Sequence, residues 1–227
     1  MQPVEKLYKW GVQELLGVRM TTCNDLCYAE LGVTPLKSLV LSKQRKFFKN
    51  MWNERCNMTD DPLVFAIRTI LNTNNSTSRH VSDLINVDVD DIALARESLE
   101  QSILGSQSSR RLTYKLLNPS LEVSSLYMNK QYINELHRMA YTQFRISSHR
   151  LAVETGRWNR RGRGRLPMEE RLCPCGAVQT EIHVLEDCPV TGEIRLTHGF
   201  NSWQDLSAME TDKVAKILYK VLSSFND

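Results

Sequence analysis

The sequence predicts an all-α protein: a helical bundle-like domain with a small metal-binding module and a C-terminal helix. Three observations carry this. Apolar residues recur at helical spacing through most of the chain. The two-residue alternation of a half-buried strand is nearly absent, and no internal repeat is visible. Four residues of metal-ligand type crowd the segment Arg171 to Pro189. A chain of 227 residues is long enough for one large domain or two small ones. It is 41% hydrophobic and 24% charged, as expected of a soluble folded protein, and only 7% aromatic, so the core is expected to be aliphatic.

The elements follow in order. Val4, Leu7, Tyr8, Val12, Leu15 and Leu16 predict a helix over 4–16 that Gly17 ends. A short helix is expected from about Asn24 to Leu31, stopped by Gly32. Thr34-Pro35 reads as cap and first helical residue of a helix reaching about Asn57. Its apolar side is Leu36, Leu39, Val40, Phe47, Met51 and Trp52, with Lys43, Arg45, Lys46 and Lys49 among them. Those bases are either solvated or meet nucleic acid. Asp61-Pro62 opens a helix to about Leu71, and residues 72–78 read as a polar loop. Further helices are expected at 81–85, 91–104 and 109–117, the last broken by Asn118-Pro119. The stripe Tyr132, Ile133, Leu136, Met139 and Ala140 predicts a helix over 129–146. His137, Arg138, Tyr141 and Arg145 on it either stack bases and contact phosphates or belong to an ordinary amphipathic helix. Ser202 caps a short helix expected over 203–209, and Val214, Ile217, Leu218, Val221, Leu222 and Phe225 face one side of a last helix from Thr211. The chain then divides into a helical region 1–150, an arginine-rich connector 151–170, the metal-binding module 171–190 and a helical end 191–227.

Within the metal-binding module, Cys173, Cys175, His183 and Cys188 form C-x-C-x7-H-x4-C. Three thiolates and an imidazole supply the four tetrahedral ligands of zinc. Pro174 and Gly176 make a tight turn that aims two sulfurs at one point, and residues 181–188 are expected to form a short helical turn or a loop carrying His183 and Cys188. The histidine-to-cysteine gap is ordinary, whereas C-x-C is shorter than the usual cysteine pair. A disulfide between Cys173 and Cys175 would be strained. A zinc with four protein ligands is structural, without an open position for water. Cys23, Cys27 and Cys56 read as buried free thiols of a reducing compartment.

Net charge is +3, too small to identify a partner, but its distribution is uneven. Between Arg138 and Arg171 nine arginines face Glu154, Glu169 and Glu170. Between Asp83 and Glu100 six acids face one arginine. Arg150, Arg157, Trp158, Arg160, Arg161, Arg163, Arg165 and Arg171 are therefore the candidate nucleic-acid contacts: arginines for phosphates, Trp158 to stack a base. A solvated connector is the alternative for the Arg-Gly part, and packing is the alternative for Trp158. His149 and Glu154 are close enough in sequence to pair, as a structural hydrogen bond and not as acid and base. The start has no signal-peptide shape and there is no apolar run long enough for a membrane, so a nuclear or cytoplasmic location is expected.

Three stretches carry a resemblance: LLGVRMTTCNDLCYAELGVTPLKSLV (15–40), RISSHRLAVETGRWN (145–159) and EERLCPCGAVQTEIHVLEDCP (169–189). In this order they resemble the C-terminal region of reverse transcriptases from non-LTR, LINE-type retrotransposons. The resemblance implies a thumb and helical connection followed by a CCHC zinc knuckle. It implies that Cys173, Cys175, His183 and Cys188 hold Zn2+. It also implies RNA or DNA, with other retroelement proteins, as partners in target-primed reverse transcription. A polymerase needs paired carboxylates for two metal ions. The adjacent acids Asp60-Asp61, Asp90-Asp91 and Glu169-Glu170 lack the apolar flanks of a palm hairpin, and there is no phosphate-binding glycine loop with a lysine. The expected function is thus a non-enzymatic, zinc-stabilised nucleic-acid-binding fragment or remnant of such an enzyme. One alternative is a structural or protein-interaction module stapled by zinc. Another is an accessory part of a polymerase whose carboxylates lie on a second chain.

Overall fold

The computed structural model describes residues 2–58, 60–128, 134–158 and 164–225. Thirteen α-helices are found among them: α1 Gln2–Leu16, α2 Asn24–Leu31, α3 Leu36–Arg55, α4 Pro62–Leu71, α5 Ser76–Asn86, α6 Asp91–Leu104, α7 Ser109–Leu117, α8 Ser125–Met128, α9 Glu135–Arg145, α10 Ala152–Thr155, α11 Gly192–His198, α12 Trp203–Ser207 and α13 Thr211–Ser223. The fold is all-α. Among the described residues there is no strand, only an isolated bridge between Leu172 and Val178, and no helix is long and apolar enough to cross a membrane.

Local chemistry explains most boundaries. Gly17 and Gly32 end α1 and α2 with φ of 66° and 65°, a conformation that carries a steric penalty for any residue with a Cβ. Asp61 accepts from the amides of Leu63 and Val64, and Pro62 takes the first helical position. Ser202 and Asp205 form a reciprocal capping box on α12. Three expectations are corrected. Pro35, not Thr34, is the N-cap of α3. Residues 76–78 are helix rather than polar loop, because the Asn75 side chain accepts from Ser78 N and starts α5 early. On α3, Phe48 packs inward while Phe47 is exposed. For α9, Asn134 caps the described helix; Tyr132 and Ile133 lie outside the described residues.

The helices gather in two compact units, one of residues 1–5 and 34–99, the other of 6–33 and 100–227. In the first, Met51, Val64, Ile67, Val81 and Ile85 of α3, α4 and α5 form an aliphatic core, with Phe48 and Trp52 against it. Here the basic helix meets the acidic stretch. Arg45 pairs with Asp91 at 2.9 Å and donates to the carbonyls of Asp83 and Val87. Lys49 reaches Asp88 at 2.6 Å.

The second unit is built on α9 against α13. Phe144, Val214, Ile217, Leu218 and Val221 fill its centre, and Leu151, Val184, Leu185 and Leu206 complete it. Burying side chains of this size contributes about 1.5–3 kcal/mol each before entropy is counted. The polar residues of α9 are committed to structure. Arg145 is buried against the Glu30 carboxylate at 3.1 Å, which also accepts from the hydroxyls of Tyr114 and Tyr127. Burial pushes the Glu30 carboxyl up, and Arg145 opposes it. Arg138 pairs with Glu135 on the same helix, and the rings of His137 and Tyr219 lie 5.1 Å apart. This is the amphipathic-helix alternative, not a base-stacking face.

Candidate metal centre and its basic neighbour

Two short pieces of backbone build the centre. The first is a hairpin-like turn. Gly176 N donates to Cys173 O, Cys173 N to Ala177 O and Gln179 N to Arg171 O, each at 2.8 Å. Gly176 takes φ of 92°, which folds the chain back so that Cys173 and Cys175 lie on the same side. The second is a single π-helical turn, His183–Asp187, closed by Cys188 N donating to His183 O at 2.8 Å. The turn type matters for the spacing. With about 3.6 residues per α-turn, residues five apart point to different sides of a helix. Closing the turn one residue later places Cys188 beside His183.

The four ligating atoms lie within 4.8 Å of one another. Cys173 Sγ is 3.5 Å from Cys188 Sγ, Cys188 Sγ is 3.9 Å from Cys175 Sγ, and Cys175 Sγ is 3.2 Å from His183 Nε2. A tetrahedral zinc with Zn–S of about 2.3 Å and Zn–N of about 2.0–2.1 Å has edges of about 3.8 Å between sulfurs and about 3.6 Å between sulfur and nitrogen. The sulfur separations are far longer than a disulfide bond of about 2.05 Å. The residues therefore fit Zn2+, and a bound ion would act as a clasp with all four positions taken by the chain. The Ala177 amide holds the exposed Cys175 thiol below its ordinary pKa, whereas burial pushes the Cys173 thiol up to about 12. A divalent cation supplies the charge that keeps such a buried sulfur deprotonated.

The surroundings hold the ligands in place, and the sequence did not reveal them. The buried Gln179 side chain donates to Cys173 Sγ at 3.8 Å and accepts from Ala152 N. Ser147 Oγ donates to Glu181 Oε1 at 2.8 Å, and His149 Nε2 lies 3.1 Å from the same oxygen. Burial opposes ionisation of Glu181, but these contacts hold its carboxyl below the usual range. His149 thus pairs with Glu181 and not with Glu154, a correction to the sequence reading, although the role stays structural. Val184 and Leu185, between His183 and Cys188, are fully buried in the core with α9 and α13. Thr191 Oγ1 ties the turn down by donating to Val184 O at 2.6 Å.

Comparison of the chain with protein-family models, with curated proteins and with solved structures finds no match. Any functional reading therefore rests on the geometry itself.

The arginines expected to meet nucleic acid occupy different settings. Arg150 is exposed. Arg157 pairs with Glu154 at 2.8 Å and donates to Val153 O. Arg171 donates to the carbonyls of Val153 and Leu166 and covers Gly156. Arg160, Arg161 and Arg163 lie outside the described residues. Arg165 is exposed, and the guanidinium of Arg19 stacks 4.3 Å over the Trp158 ring. A cavity of ≈ 470 Å³ brings Arg157, Trp158 and Arg165 together with Arg110, Arg111, Thr21, Cys23, Ser106 and Ser108. Arg110 shares the buried Glu154 with Arg157, donating at 2.6 Å. Arg111 pairs with Asp25 at 2.5 Å. Among the described residues that line the cavity none is acidic, but Glu154 and Asp25 neutralise Arg110, Arg157 and Arg111 from behind. Arg110 and Arg111 lie far away in sequence from the basic block, so charge clustering along the chain gave no sign of them.

Proposed function

We propose that the chain is a zinc-stapled helical interaction module in which the metal holds the fold and takes no part in a reaction. The observation that carries this is the burial of Val184 and Leu185, which fixes the turn bearing His183 and Cys188 in the core of the second unit. A clasp there ties residues 173–188 to α9 and α13. All four metal positions are filled by side chains, so a bound zinc has no site for water or substrate. The test is thermal unfolding of the zinc-loaded chain before and after chelation, with metal content measured on the same sample. A large loss of stability supports the staple, and an unchanged melting temperature refutes it.

A second reading is favoured by the cavity that gathers four arginines beside Trp158, three of them bridged to Glu154 or Asp25. Guanidinium groups beside an exposed indole suit a phosphodiester strand, with phosphates on the arginines and a base on the ring. The hydroxyls of Thr21, Ser106 and Ser108 add neutral donors. In this reading the module grips RNA or DNA, in keeping with the resemblance to the C-terminal part of LINE-type reverse transcriptases. The test is binding of the zinc-loaded chain to labelled single-stranded RNA and duplex DNA over a salt series. Replacing Arg111 and Arg165 together by alanine should flatten the slope of log affinity against log salt by about 0.7 per lost phosphate contact on a single strand. An unchanged slope refutes this reading and leaves the staple standing.

A further inference from the structure

The sulfurs of the metal centre differ in access. Cys173 and Cys188 are 4% and 0% exposed. Cys175 lies on the surface of its turn, and the turn is open beside it, because a Cβ added at Gly176 would meet nothing within 4 Å. The centre thus presents one thiolate to solvent with two buried behind it. Cys188 Sγ stands 3.9 Å from Cys175 Sγ, and Cys173 Sγ stands 3.5 Å from Cys188 Sγ. An accessible sulfur with a second sulfur within reach is the arrangement on which reversible thiol oxidation depends. Cys23, Cys27 and Cys56 are not part of the cluster.

We propose that the centre is a site of oxidation by hydrogen peroxide, in which Cys175 is the sulfur attacked first, Cys188 is its resolving partner and the metal is released. This rests on the zinc-clasp reading and adds the means by which the metal leaves. The Cys175 thiolate attacks one peroxide oxygen, the O–O bond breaks, and the departing hydroxide takes a proton to become water. Cys175 is then a sulfenic acid. The Cys188 thiolate attacks that sulfur, the S–S bond forms, the S–O bond breaks, and a second hydroxide leaves as water. Peroxide gains two electrons and the two thiolates lose them. Cys188 is the partner because a bond from Cys175 to Cys173, two residues away, would be strained. Closing 3.9 Å to a bond of about 2.05 Å asks the Cys175 side chain to turn inward, and the open turn leaves it room. Only Cys173 and His183 of the four ligands remain, too few to close a structural zinc site. The disulfide spans nearly the same loop as the metal, so the turn stays tied down after the ion has gone.

The experiment treats the zinc-loaded full chain with hydrogen peroxide. Free zinc is followed with a metal-binding dye, while dimedone trapping and mass spectrometry locate the oxidised sulfurs. The expected result is zinc release in step with a Cys175–Cys188 disulfide, sulfenic acid trapped at Cys175 before any other cysteine, and renewed zinc binding after a dithiol reductant. The melting temperature of the oxidised chain should no longer respond to chelator. Cys175→His keeps a nitrogen donor at that corner and should slow peroxide-driven release at least about tenfold. If that variant fails to hold zinc, the order of trapping on the native chain decides. Zinc retained under peroxide overturns the proposal and leaves the clasp standing. So does first trapping at Cys173 or Cys188, or unchanged release from zinc-loaded Cys175→His. A chain that takes up no zinc overturns the clasp itself, and this inference with it.

Discussion

Removing the metal should destabilise the second unit while leaving the first intact. The ligands close a loop from Cys173 to Cys188, and closing a loop of about 15 residues constrains the unfolded chain by about 3 kcal/mol. For a folding unit of this size each kcal/mol moves the melting temperature by about 2–4 °C. Chelation of a zinc-loaded sample should thus lower the transition by about 6–12 °C. Cys188→Ala should give the same lowered transition, plus a small additional loss because its side chain is fully buried. Chelator should then have no further effect on that variant. Differential scanning calorimetry with metal analysis makes the measurement, and hydrogen exchange shows where protection is lost. The exchange-protected amides of α9 and α13 should loosen, while those of α3 and α5 stay protected. If stoichiometric zinc is removed and the transition moves by less than about 1 °C, the clasp is not a staple and the reasoning fails.

Other perturbations test the remaining links. Leu218→Ala empties a fully buried position in the α9–α13 core and should cost about 2–5 kcal/mol, read by urea denaturation. Glu154→Gln removes the buried carboxylate shared by Arg110 and Arg157 and should cost about 2–4 kcal/mol by the same assay; a neutral outcome would show that the two guanidinium groups find solvent instead. Gly32→Ala forces a Cβ onto φ of 65° and into Val123, so a loss of at least about 1 kcal/mol is expected, measured against the milder Gly11→Ala. Asn75→Ala deletes the α5 cap and should weaken the first unit by about 1 kcal/mol without changing the zinc-dependent transition.

The helical character of the chain and its metal ligands were determined by the sequence alone, because both are local. Helical spacing, Gly17, Gly32, the Asp61-Pro62 start and the Ser202 cap act over a few residues. The C-x-C turn and the H-x4-C turn likewise place their own ligands, once each backbone closes. Short elements such as α8, α10 and α11 carried too few periods to be read. Only the tertiary structure decided what the charged residues do. Arg157 and Arg171 sit in a basic block by sequence, yet they turn inward to Glu154 and to backbone carbonyls. Arg110 and Arg111 reach the same cavity from a helix more than forty positions before Arg157. His149 chose Glu181 over Glu154 for the same reason. A helix is written in neighbours three and four apart, whereas a charge takes whichever partner the packed core leaves within reach, and that distance is not encoded along the chain.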